Sequence, residues 1–329
     1  MNKVSPTPLT KISAPIIREL EAYRALFESR LQHDEPLLNQ ALSYIRGREG
    51  KMMRPILVLL MAREAGNISE KALKAAVSLE LLHTASLVHD DVVDESNLRR
   101  GMASVNQKFG NKVAVLVGDY LLSLLLCIAA ETDDNCMVER IARLGGTLSE
   151  GEIFQLGSSQ HEVPDEATYF RIIGHKTAAL FATCAELGAM AGSADSKAVE
   201  NARRYGELVG ICFQIRDDIF DFYKDDSIGK PTGNDLLEGK FTLPIIYALN
   251  NAPSASLQPV IARVQTGNAT SEDVSQLVEF TKAHGGIDYA RNVMDKYRLE
   301  AIAILENFKD QEVKQALKNY ANYVADRSI

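Results

Sequence analysis

One stretch constrains this chain more than any other: the segment from Glu70 to Asp94 reads as a single long helix with scarcely any polar surface. Between Ala75 and the aspartates at its end, only Ser78, Glu80, His83, Thr84, Ser86 and His89 interrupt a run of alanine, leucine and valine. A helix that is apolar almost all round has to be enclosed by others. Apolar residues at helical spacing predict companions over Pro15–Leu31, Pro36–Ile45, Val113–Thr132, Met137–Gly157, Asp165–Gly192 and Ser196–Asp221. A further helix starts at Pro55, with that proline at its first position. Beyond come Leu243–Asn250, Pro259–Gly267, Ser271–Ala283, Gly286–Phe308 and Gln311–Arg327. Alternating β-branched runs are scarce. The expected fold is therefore all-α, one large helical bundle. No low-complexity linker divides it, so residues 1–329 are read as a single domain.

The net charge is −8 and no basic stripe stands out, which argues against a nucleic-acid partner. An acidic chain that binds an anion must gather cations locally or bridge acid to acid through a metal. The greasiest run, Val113 to Ala130, contains Gly118 and Asp119 and is read as a buried helix, not a membrane span. Residues 1–16 lack the unbroken apolar core of a signal peptide. Cys127, Cys136, Cys184 and Cys212 show neither CxxC nor zinc-ligand spacing. All but Cys136 lie in apolar surroundings, so buried free thiols and a cytoplasmic location are expected.

The chemistry begins at Asp90-Asp91-Val92-Val93-Asp94. Asp90 and Asp94 lie one helical turn apart on one face, with Asp91 rotated by about 100°. The two carboxylates repel, and they sit at a helix C-terminus, where the dipole disfavours negative charge by some tenths of a kcal/mol. A cation should compensate. Mg²⁺, held by one or two carboxylates and sharing its other positions with phosphate oxygens and water, is the natural choice. Alone, the cluster is equally well a solvated acidic helix end. Its repetition as Asp217-Asp218-Ile219-Phe220-Asp221, at the end of a second apolar helix, is hard to explain as surface decoration.

Cations flank these clusters. Lys51 and Arg54 follow a glycine-containing loop, Arg99 and Arg100 follow the first cluster, and Lys176 precedes Thr177 within an otherwise apolar helix. Lys230 and Lys240 lie in the loop from Asp225 to Thr242, whose length is typical of a functional or mobile segment. Any one of them could be a solvated charge. Together, in an acidic protein, they point to diphosphate.

A series of motifs runs in order along the chain: Gly50-Lys51-x-x-Arg54-Pro55, the Leu87–Ser96 segment around the first cluster, Arg99-Arg100-Gly101, Gly118-Asp119-Tyr120-Leu121, Gly151-Glu152-x-x-Gln155, Lys176-Thr177, Phe213–Asp218, Gly229-Lys230-Pro231, and Gly239-Lys240-x-Thr242-Leu243-Pro244. In these the chain resembles the trans-type isoprenyl diphosphate synthases (polyprenyl synthetases) over almost its whole length, most of all their long-chain octaprenyl and solanesyl branch. The resemblance implies an isoprenoid-synthase bundle around a deep central cavity, usually a homodimer. It also implies head-to-tail prenyl transfer. Three Mg²⁺ ions bridge both aspartate motifs to an allylic diphosphate, its C–O bond ionises, C4 of isopentenyl diphosphate attacks the cation, and a proton is lost to the released diphosphate.

Carried over by the motif match, Lys51, Arg54, His83 and Arg100 hold isopentenyl diphosphate. Arg99, Lys176 and Lys240 grip the allylic diphosphate, with Lys230 in the same loop. Lys176, Thr177 and Gln214 border the carbocation and are the catalytic candidates. Asp90, Asp94 and Asp217 bind metal directly, and Asp91, Asp218 and Asp221 act there through water. Without the match, His83 would be read as a core histidine. One departure is visible: the family often has a basic residue after the loop lysine, and here Met52 stands there.

In the family, bulky aromatics four and five positions before the first cluster stop chain growth early. Here those positions hold Ala85 and Ser86, with Leu82 and Ser78 behind them. The expected product is therefore long, about C30 or more, grown from farnesyl or geranylgeranyl diphosphate and destined for quinone side chains, with transient membrane contact for its release. The alternatives are a short-chain (C15–C20) synthase and a non-catalytic subunit of a heteromeric one. A terpene cyclase would not need the second DDxxD or Lys51 and Arg54.

Overall fold

Enclosing the Glu70–Val93 helix is what the fold accomplishes. The computed structural model describes residues 8–47, 50–99, 101–158, 163, 165–223 and 232–326. Helices α1 (Leu9–Ile12), α2 (Ile17–Arg30), α3 (Pro36–Arg46), α4 (Met53–Ala65) and α5 (Glu70–Val93) lead to a hairpin of β1 (Leu98–Arg99) and β2 (Met102–Ala103). Then follow α6 (Val105–Phe109), α7 (Asn111–Ala130), α8 (Asn135–Ser158), α9 (Glu166–Ile173), a π-helical turn at Gly174–Ala178, α10 (Ala179–Ala191) and α11 (Ser196–Asp221). The remainder is α12 (Asn234–Leu237), α13 (Leu243–Asn251), α14 (Gln258–Gln265), α15 (Ser271–Ala283), α16 (Gly286–Ile304) and α17 (Gln311–Asp326). The all-α expectation holds.

Helix α5 packs along α7 and is closed off by α4 and α10. Its Ala75, Val77, Leu79, Leu81 and Ala85 are fully buried. Each such leucine or valine contributes roughly 1.5–3 kcal/mol relative to exposure. One cluster of buried apolar side chains runs from Ile12 to Ala325. Starts are set by local chemistry: the Asp195 carboxylate accepts from Ala198 N–H at 2.8 Å to begin α11, and Thr270 and Asp273 cap α15 reciprocally. Helix α11 lies against α10 at Gly206 and against the end of the π turn at Gly210. A Cβ at Gly206 would fall 2.4 Å from the Phe181 carbonyl oxygen, and one at Gly210 would fall 2.6 Å from Ala178 Cα.

Several expectations need correction. Helix α4 begins at Met53, so Pro55 is its third residue, still in the first turn where its missing N–H has no partner to lose. The segment read as one helix over Asp165–Gly192 is interrupted by the π turn, a feature with no signature in apolar spacing. Helix α7 is not a fully buried helix. It packs on α5 along one side, and Val115, Leu116 and Leu126 are exposed. Its length and composition would suffice to cross a membrane. Cys127, on its outer side, is exposed as Cys136 is, while burial pushes the Cys184 and Cys212 thiols up to about 12.

Candidate active site

The first aspartate cluster ends α5, and its three carboxylates face different surroundings. Asp91 is 2% exposed and accepts from Arg99 Nε at 2.7 Å. Arg99 stands on β1, and the hairpin is fixed to the end of α5 by Asn106. Its Nδ2 donates to the carbonyls of Asp91 at 3.1 Å and Ser96 at 3.2 Å. Tyr44 Oη donates to the Ala103 carbonyl at 2.7 Å, tying the other strand to α3. Asp91 is therefore bound up in holding Arg99 rather than open to an ion. Asp94 is exposed. Asp90 lies between them, half-buried, and is pushed up to about 6, first by burial and then by the negative charge of Glu152, against the opposing pull of Lys176.

The second cluster ends α11. Asp218 is 2% exposed and accepts from Tyr169 Oη at 2.6 Å and Gln214 Nε2 at 2.8 Å. Burial is the main cause that lifts its carboxyl to about 7, with Asp217 and Asp221 adding to it against those two hydrogen bonds. Asp221 accepts from the backbone N–H groups of Asn234 at 3.0 Å and Asp235 at 3.1 Å, so it caps α12. Asp217 is half-buried on the same turn. Thr177 Oγ1 donates to Gln214 Oε1 at 2.7 Å, which completes a chain Thr177–Gln214–Asp218–Tyr169 across the π turn, α11 and α9.

That chain lines a cavity with Gln155, Lys176, Asp235, Lys240 and Phe241. Lys176 is ion-paired with Glu152 and donates to Gln155 Oε1 at 3.2 Å. The close approach of α8 to the π turn depends on Gly151, where a Cβ would meet His175 Cβ at 2.7 Å. Lys240 donates to Glu238 at 2.6 Å. Burial opposes its charge, yet Glu238, Asp94 and Asp235 together raise its pKa. Lys240 thus stands between an aspartate of the first cluster and the loop beyond the second. The expected catalytic group Lys176, Thr177 and Gln214 converges on this cavity.

A second cavity lies along α5, lined by Arg24, Arg46, Gly50, Met52, Glu80, His83, Thr84 and Arg99 over an apolar floor that includes Tyr23, Phe27 and Leu87. His83 is on its wall. Arg99, assigned by resemblance to the allylic side, lines this one. Lys51 is exposed. Arg54 is half-buried in the first turn of α4, its guanidinium carbon 5.5 Å from the centre of the Phe181 ring and its Nε buried without a partner. Tyr320 Oη holds that turn by donating to the Met53 carbonyl at 2.8 Å. Arg100 and Lys230 lie outside the described residues. Ala85 and Leu82 are buried, Ser86 is half-buried, and neither cavity reaches them.

Sequence reading gave no role to Glu152, Gln155, Tyr169 or Asp235. Glu152 and Gln155 were visible as a motif but not as partners of Lys176. Asp235 is raised well above the carboxylate range by burial, then by Asp221 and Asp218; its only signal was its place shortly before Gly239-Lys240. Among the described residues, no three acidic, histidine or cysteine groups are grouped so as to hold an ion. The donors nevertheless suit a hard divalent cation. Asp90 and Asp218 are crowded carboxylates that a cation would relieve, and Mg²⁺ needs only one or two protein oxygens when phosphate and water supply the rest.

The family model for polyprenyl synthetase matches residues 35–281. The chain is similar to the octaprenyl diphosphate synthase of Haemophilus influenzae, 33% identical over 301 residues that cover 91% of both proteins. Among solved structures it is similar to geranylgeranyl pyrophosphate synthase from Bacteroides thetaiotaomicron, at 44% identity and a TM-score of 0.86, covering 97% of this chain and 99% of that one. It is also similar to a polyprenyl synthase from Caulobacter crescentus complexed with calcium and isoprenyl diphosphate, at 30% identity and a TM-score of 0.92 over 99% of each.

Proposed function

The chain belongs to the polyprenyl synthetase family and is a trans-prenyl diphosphate synthase, and on that premise we propose that it extends farnesyl or geranylgeranyl diphosphate with isopentenyl diphosphate to a product of about C30 or longer. The observation that carries the two-substrate reading is the presence of two separate cavities, one along α5 with Arg24, Arg46 and Arg99 and one between α8, the π turn and α11 with Lys176 and Lys240, each with cations of its own. The small residues Ala85 and Ser86 carry the length.

In this reading Lys176 and Lys240 donate to the departing diphosphate, whose growing charge must be neutralised where water is excluded. Asp90, Asp94 and Asp217, with Asp218 and Asp221 behind them, would hold Mg²⁺, which when bound would supply Lewis-acid neutralisation of the same diphosphate. Asp91 serves by fixing Arg99. Thr177 and Gln214, locked together at 2.7 Å, turn oxygen dipoles toward the allylic cation. His83, Lys51 and Arg54 hold isopentenyl diphosphate so that its C4 faces that cation, and the proton then lost leaves with the diphosphate. The calcium and isoprenyl diphosphate named for the Caulobacter protein support a divalent ion and this ligand class. The exposed apolar residues of α7 support a homodimer that covers them.

A shorter product is the second reading. It is favoured by the 44% identical neighbour, named a geranylgeranyl pyrophosphate synthase, and by the complete burial of Ala85. Sizing the products made from farnesyl diphosphate and labelled isopentenyl diphosphate with Mg²⁺ separates the two. Products of about C30 or more are expected, and accumulation at C15 or C20 alone overturns the long-chain reading. Ala85→Phe should shorten the product by at least one isoprene unit; an unchanged distribution would remove this wall of α5 from the argument.

A further inference from the structure

We propose that Arg24, on α2, is a diphosphate-holding residue of the isopentenyl site and supplies the cation that Met52 does not; this rests on the two-substrate reading above. Nothing in the sequence singles Arg24 out, because α2 carries no motif. Met52 has a backbone φ of 48°, in the left-handed region, which is unusual for a residue with a long side chain. Its side chain meets α2, and Arg24 Nε donates to Met52 Sδ at 3.2 Å. A thioether is a weak acceptor. Among the described residues it is Arg24's only polar partner, and Glu28, one turn further along α2 on the same cavity wall, does not pair with it.

The remaining guanidinium donors are therefore uncommitted beside a cavity that Gly50, His83 and Arg99 also line. A guanidinium fork matches a phosphate in geometry as well as in charge. Arg99 is already bound to Asp91. Arg24 is exposed, and its hold on the sulfur of the loop residue keeps its guanidinium on the cavity wall, in position for a ligand.

The test compares Arg24→Ala with the wild type by steady-state kinetics and by calorimetric titration of isopentenyl diphosphate. The KM and the Kd for isopentenyl diphosphate should each rise about tenfold, the loss of one charge-assisted hydrogen bond. The KM for the allylic diphosphate, kcat and Tm should stay within twofold or unchanged. Adding Met52→Arg to Arg24→Ala should recover most of the loss. An unchanged Kd for isopentenyl diphosphate, or an equal rise in both KM values, overturns the proposal. Wild-type turnover reports on the reaction itself, whereas the Kd ratio reports on Arg24 whether or not turnover is seen.

Discussion

Asp90→Asn should lower kcat about a thousandfold and still leave the metal-free protein at least as stable as the wild type. The two halves of this expectation have one cause. Asp90 is the carboxylate that burial and Glu152 push up to about 6, so its negative charge is unfavourable until a cation and a diphosphate arrive. Asparagine keeps the volume and removes the charge. It also removes an anchor for the neutralisation of the leaving group, where loss of a single preorganised contact typically costs about two to three orders of magnitude in rate. The sign with pH follows from linkage. The folded-state pKa is raised above the unfolded value of about 3.9, so the folded protein holds the extra proton between about pH 4 and 6. Its stability contribution is lost as pH rises through that window. The stabilising effect of Asp90→Asn should therefore be visible in Tm at pH 8 without metal and vanish near pH 4. A kcat near that of the wild type, or a large drop in Tm at pH 8, would contradict the placement of Asp90.

Gly206→Ala should lower the stability of the protein markedly, although it adds only one methyl group. The added carbon meets backbone atoms, the Phe181 carbonyl oxygen at 2.4 Å and Ala182 Cα at 2.9 Å, and backbone cannot rotate aside. Helix α11 must then shift away from α10. Overpacking of this kind costs about 2 kcal/mol, roughly 4 °C or more in Tm. The consequence for activity is separate. Gln214 lies two turns along the same face of α11, and its 2.7 Å bond from Thr177 spans this crossing. Thermal unfolding and kcat should both fall. Loss of stability with unchanged kcat would mean that the Thr177–Gln214 contact does not depend on the crossing, and an unchanged Tm would mean that the helices separate freely.

Much of this was legible in the chain. The bounds of α11 and α15 agree with the reading because their starts carry their own caps, Asp195 and the Thr270–Asp273 pair. The all-round apolar character of α5 required enclosure, and enclosure is what it has. The aspartate clusters were found because like charges at a helix end are locally unfavourable, which needs no knowledge of the fold. Other features were not legible. The π turn that carries Lys176 and Thr177 adds backbone without altering the apolar pattern. On α7 the exposed Val115, Leu116 and Leu126 are as apolar as the buried Val117, Leu121 and Leu125, so residue type alone does not tell which of them face the core.

The sequence by itself determined which groups exist: two carboxylate clusters on the ends of apolar helices, the cations in order around them, and small residues one turn upstream. These follow from residue type and helical spacing, which act over a few positions. Only the tertiary structure decided how they divide the work. Asp91 became the anchor of Arg99, Asp221 the cap of α12, Asp218 the acceptor in a hydrogen-bonded chain from Thr177, and Asp90 the crowded carboxylate that feels the opposed charges of Glu152 and Lys176. The reason is that desolvation and partner geometry set the state of a carboxylate, and both come from helices far apart in the chain.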